Sequence, residues 1–122
     1  MNSKEILLRA ARRIEKEGLS IGKAYTGKSP CAGAAIIGAA YNYQEGTSGN
    51  PRFYANEYMK ARNAFCGLVG IASSYDAIAD WNDESWNDKT GKKHYKRTKE
   101  EVVKQLRIAA DISAEEIKKE KK

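Results

Sequence analysis

Apolar positions recur at three- and four-residue steps along most of the chain. Ile6, Leu7, Ala10, Ala11 and Ile14 fall on one side of a helix, with Arg9, Arg12, Arg13 and Lys16 opposite. Asn2, three residues before Glu5, marks its start, and Gly18 ends it. A second helix is expected from Ser29 as cap and Pro30 as first helical residue through about Asn42. Its side chains are small: Cys31, Gly33, Ala34, Ala35, Gly38, Ala39 and Ala40. Because an interior glycine costs about 1 kcal/mol relative to alanine, this helix needs a close neighbour and is expected at the centre of the core. Asn50-Pro51 repeats the cap-then-proline signal for a third helix striped with Tyr54, Tyr58, Ala61, Phe65, Leu68 and Ala72. Asp76 is expected to cap a short turn through Ala79. Thr98-Lys99-Glu100-Glu101 is a capping box ahead of Val102, Val103, Leu106, Ala109 and Ala110, the face of a long last helix that Ser113 to Glu116 either restarts or prolongs. Sustained period-two alternation is missing, so the expectation is a single all-α domain over 1–117 with four main helices and a lysine-rich tail at 118–122. A short hairpin around Lys89 to Lys96 is the main exception to that pattern.

Composition adds a sign. The 122 residues suit one domain that buries about two-thirds of its unfolded surface. Against 16 Asp and Glu stand 22 Lys and Arg, a net charge of +6 that favours nucleotides, nucleic acid or acidic protein surfaces as partners. Two cysteines, no leader-like start and no long apolar run point to a reducing cytoplasm, free thiols and no membrane partner.

Several motifs invite chemistry and fall short of it. Gly22 to Ser29 spells the phosphate-loop pattern G-x-x-x-x-G-K-S/T, but that motif needs a strand before the loop and a helix after it. Only Leu19, Ser20 and Ile21 separate it from the first helix, and Pro30 removes an amide from the next. Lys23, Lys28 and Ser29 could still hold an anion at a helix start. Cys31 at that helix start could be a thiolate nucleophile with His94, the only histidine, as base and Asn82 or Asp83 as orienter; the plainer reading is a small buried thiol and an exposed loop histidine. Asp80, Asn82 and Glu84 alternate like a calcium loop but lack its glycine and its closing glutamate, and no zinc spacing occurs, so neither metal nor cofactor is expected. Of two Trp-Asn-Asp triplets, the one at Trp81 is expected in the core and the one at Trp86 in solvent.

The segments Leu8-Arg9-Ala10-Ala11, Glu17-Gly18, Cys31-Ala32-Gly33-Ala34, Ile78 to Asp83 and Arg97 to Val102 together resemble an uncharacterised family of small proteins common in actinobacteria and phages. The resemblance implies a shared fold and marks Cys31, Gly33, Trp81, Asn82, Asp83, Arg97, Thr98 and Glu101. It implies no activity. Here the link from Glu84 to Lys96 is longer than is usual in that family.

Three functions fit these residues. The first is a non-enzymatic binder of a small anionic, nucleotide-like ligand, a sensor or phage-type sequestering protein, using Lys28, Ser29, Trp81, Asn82, Asp83, Arg97 and Thr98. An interaction module for nucleic acid or an acidic protein is the second, and a small cysteine hydrolase using Cys31 and His94 is the third, placed last because only one histidine is present. A homo-oligomer would suit an exposed tyrosine-rich third helix. The site is expected where the Trp81–Asp83 turn meets the last helix, unless Arg97 merely bridges to Asp83 as a clamp.

Overall fold

The computed structural model of the chain describes residues 1–21, 25–26, 29–42 and 52–120. They form α1 (Ser3–Glu17), β1 (Tyr25–Thr26), β2 (Ser29–Pro30), α2 (Ala32–Ala39), β3 (Tyr41–Asn42), β4 (Arg52–Phe53), α3 (Ala55–Val69), α4 (Tyr75–Asn82), β5 (Ser85–Asn87), β6 (Lys93–Tyr95) and α5 (Lys99–Glu120). The protein is therefore mostly helical, but not strictly all-α. The described residues form five helices rather than four main ones, and three two-stranded antiparallel ribbons pair β1 with β2, β3 with β4 and β5 with β6. Among the described residues no helix is long and apolar enough to cross a membrane.

The strongest amphipathic signals hold. Asn2 Oδ1 accepts from the Glu5 amide at 2.9 Å, Gly18 closes α1 with φ of 92°, and Ile6, Leu7, Ala10, Ala11 and Ile14 are all fully buried. Thr98 Oγ1 accepts from the Glu101 amide at 3.1 Å, and α5 then runs unbroken through Ser113, which is buried and hydrogen-bonded to Ser3. These two helices pack lengthwise. α1 packs against α5, α2 and α3, and α2 in turn packs against α1, α3 and α4.

Three boundaries differ from the sequence expectation, each for a non-local reason. Ser29 and Pro30 lie in β2 rather than opening a helix, and the Pro30 carbonyl accepts from the Ser20 amide at 3.0 Å. Cys31 is the cap instead: its extended backbone turns into α2 and its Sγ accepts from the Ala34 amide at 3.4 Å. At the other end α2 stops at Ala39, because Tyr41 and Asn42 pair with Phe53 and Arg52, and the Ala40 carbonyl accepts from the Tyr54 amide at 3.0 Å. Consequently α3 starts after Tyr54, and the expected cap at Asn50-Pro51 lies outside the described residues. Ser74, not Asp76, caps α4 by accepting from the Ala77 amide at 3.0 Å, so the expected short turn is a full helix that carries Trp81 and Asn82 in its last turn.

Candidate functional site

The last turn of α4 sends two neighbouring side chains into different parts of the interior. Asn82 is fully buried. Its Oδ1 accepts from the Ala32 amide at 3.0 Å, and its Nδ2 donates to the Ser20 carbonyl and to Asp83 Oδ1, both at 3.0 Å. One amide thus satisfies the first turn of α2, the segment leaving α1 and the end of its own helix. A buried polar side chain is stable only when partnered in this way. Trp81 meets Phe65 edge to face at 5.3 Å, and the Arg97 guanidinium covers its ring at 4.2 Å.

Two carboxylates and an indole face hold Arg97. Its side chain is only 14% exposed, with Nη2 on Glu84 Oε1 at 2.7 Å and Nη1 3.6 Å from Glu101 Oε1. Lys96 Nζ takes the other Glu84 oxygen at 2.6 Å. That Lys96 hydrogen bond, reinforced by the charges of Lys96 and Arg97, holds the Glu84 carboxyl below its usual range. The bridge expected from Arg97 to Asp83 is therefore replaced by bridges to Glu84 and Glu101. Asp83 caps the end of α4 beside Asn82.

Cys31 and His94 do not form a catalytic pair. Cys31 is 1% exposed, and its polar neighbours are the Ala34 amide and the Tyr75 hydroxyl, 3.9 Å from the sulfur. Burial, and then the adjacent Cys31, push the Tyr75 hydroxyl up to about 12, so it offers no base at neutral pH. Cys66 is likewise buried, and that burial raises its thiol. Of the other expected ligand residues, Lys28 lies outside the described residues and Ser29 lies in β2. The phosphate-loop letters fail on the same ground, since the Ser that should open a helix is in a strand paired with Thr26. Among the described residues no three His, Cys, Asp or Glu side chains are placed to hold a metal ion.

His94 belongs to a different structure, the ribbon of β5 and β6. Trp86 faces His94 across the ladder, their rings stacked at 4.5 Å and tilted by 19°. Asp88 ties the ribbon's tip: Oδ1 accepts from the amides of Thr90 and Lys92 at 2.8 and 3.0 Å and from Thr90 Oγ1 at 2.5 Å, while His94 Nε2 donates to Oδ2 at 2.8 Å. Those bonds, led by Thr90 and His94, hold the Asp88 carboxyl down to about 2. Gly91, with φ of 85°, supplies the left-handed residue that a three-residue hairpin loop requires. Trp86 is 51% and Tyr95 41% exposed, with Lys93 Nζ 5.6 Å above the tyrosine ring. Tyr75 was not singled out from the sequence, and Glu84 only within a failed calcium-loop pattern. The ribbon was anticipated only in its second strand, though Asp88 three residues before Gly91 is a legible turn signal.

The family of unknown function DUF6197 matches residues 1–112 of this chain. The chain belongs to DUF6197. No curated protein and no solved structure matches it. The DUF6197 span takes in the Asn82 junction, the ribbon and the Thr98 capping box together, and it agrees with the resemblance to an uncharacterised family.

Proposed function

We propose that this DUF6197 protein is a nucleic-acid-binding module whose contact surface is the ribbon of β5 and β6. The observation that carries the reading is where the charge sits. From Glu84 to Glu101 six cations stand against four carboxylates, and at the tip of the ribbon Lys89, Lys92 and Lys93 stand against Asp88 alone. Clustered cations supply the sequence-independent attraction to phosphates and release bound counterions when they engage. Lys96 and Arg97 are engaged at the base by Glu84, which leaves Lys89, Lys92 and Lys93 at the exposed tip. By contrast, four of the seven groups on which a small-ligand site was expected to depend are committed internally: Asn82 and Trp81 to the core, Arg97 to two carboxylates, and Thr98 to the cap.

Fluorescence anisotropy with labelled oligonucleotides over a salt series tests the proposal. The expected result is binding that weakens linearly in log salt, and a triple variant Lys89→Glu, Lys92→Glu, Lys93→Glu that binds at least about ten-fold more weakly with a shallower slope. Unchanged binding by the folded triple variant would remove the ribbon from the interface. If a mononucleotide stabilises the protein and added chain length brings nothing, the small anionic ligand is the better reading.

A further inference from the structure

We infer that the ribbon selects single-stranded nucleic acid, with the Trp86 ring as the platform on which an unpaired base stacks. This rests on the nucleic-acid reading above and adds the form of the strand. Because partners across an antiparallel ladder share a face, Glu84, Trp86, Asp88, Lys92, His94 and Lys96 occupy one side of the ribbon. His94 backs one face of the indole, yet Trp86 stays 51% exposed, so its other face is presented to solvent. Lys92, toward the tip, places a cation beside that ring, and a phosphate flanking a stacked base would meet it. Of the two carboxylates on this side, Asp88 is tied down by its bonds to Thr90, Lys92 and His94, and Glu84 by Lys96 and Arg97. Tyr95 lies on the opposite side under Lys93, so its ring already has a cationic partner.

A duplex offers this face only phosphates, since its bases are stacked on one another, whereas a single strand can add an aromatic stack to every charge contact. An anionic lipid surface would also attract the lysines. Residues 85–96, however, contain no Leu, Ile, Val, Met or Phe to enter the acyl region, and the flat indole-imidazole pair is shaped for a planar partner.

The test compares oligothymidylate, a duplex of equal length and anionic phosphatidylglycerol vesicles on the full chain, read by anisotropy or co-sedimentation and by tryptophan emission. Oligothymidylate should bind at least about ten-fold more tightly than duplex and quench Trp86, while Trp81, enclosed by Phe65 and Arg97, stays silent. Trp86→Ala should erase the preference and leave duplex affinity within about two-fold. Trp86→Leu, which keeps apolar cover over His94 but offers no aromatic face, should behave the same way even if the alanine variant loosens the ribbon. Equal binding of both nucleic acids with no effect of either Trp86 variant overturns this inference and leaves the nucleic-acid reading standing. Binding of vesicles alone, with neither nucleic acid bound, overturns both.

Discussion

Asn82 ties two distant segments together, because its side chain answers one donor and one acceptor from them. Asn82→Ala takes the acceptor from the buried Ala32 amide and a donor from the Ser20 carbonyl, and an abandoned buried polar group costs about 1–3 kcal/mol. The expected loss is about 3 kcal/mol, read as a lower urea midpoint with an unchanged slope. A loss under about 1 kcal/mol would mean that water replaces the amide without strain. The letters Trp-Asn-Asp were enough to single this residue out, but not to say what it does. An amide flanked by an aromatic and a carboxylate reads equally as ligand contact or as junction, and only the positions of Ser20 and Ala32, far away in sequence, decide. Arg97 is the same case. Its cationic head was legible, whereas its partners Glu84 and Glu101 depend on how the ribbon returns to α5.

Among elements, those with local causes were readable. Periodicity and capping define α1 and α5, whose start signals act within three residues. Ser29-Pro30 carries an equally good local signal and yet is extended, because a bond from Ser20 competes for Pro30 and the chain pairs back on Tyr25. Period-two strands of three residues leave too little alternation to detect, so the ribbon's first strand was not anticipated. The ribbon's turn makes a pH prediction. Asp88 titrates at about 2 in the folded ribbon against 3.8 for the unperturbed side chain, so its contribution is complete above the unfolded value and is lost as pH falls through that window. Trp86 emission should change between about pH 4 and pH 2 ahead of any loss of helical circular dichroism, and Asp88→Asn should show the acid-like emission already at neutral pH. Emission that tracks the helical signal throughout would tie the ribbon's order to the whole fold instead.

For the molecule as a whole, the helices form one core around α1, while β5 and β6 pack mainly on each other and join the body through Glu84, Lys96 and Arg97. Few buried apolar contacts mean a low cost of local opening. In native-state hydrogen exchange the amides of Trp86 and His94 should exchange about two orders of magnitude faster than those of Leu7 and Leu106. Equal protection would place the ribbon inside the cooperative unit. The Lys96 amide donates to the Glu84 carbonyl at 2.8 Å, so the chain leaves the helical body and returns to it at a single point. To an evolving lineage the body is then a socket and the segment between those two residues an exchangeable head. Doubling its length costs only about 0.6 kcal/mol in closure entropy, so heads can be lengthened, shortened or recoded without shifting α4 or α5. The ribbon can therefore diversify while the helices that hold it stay as they are.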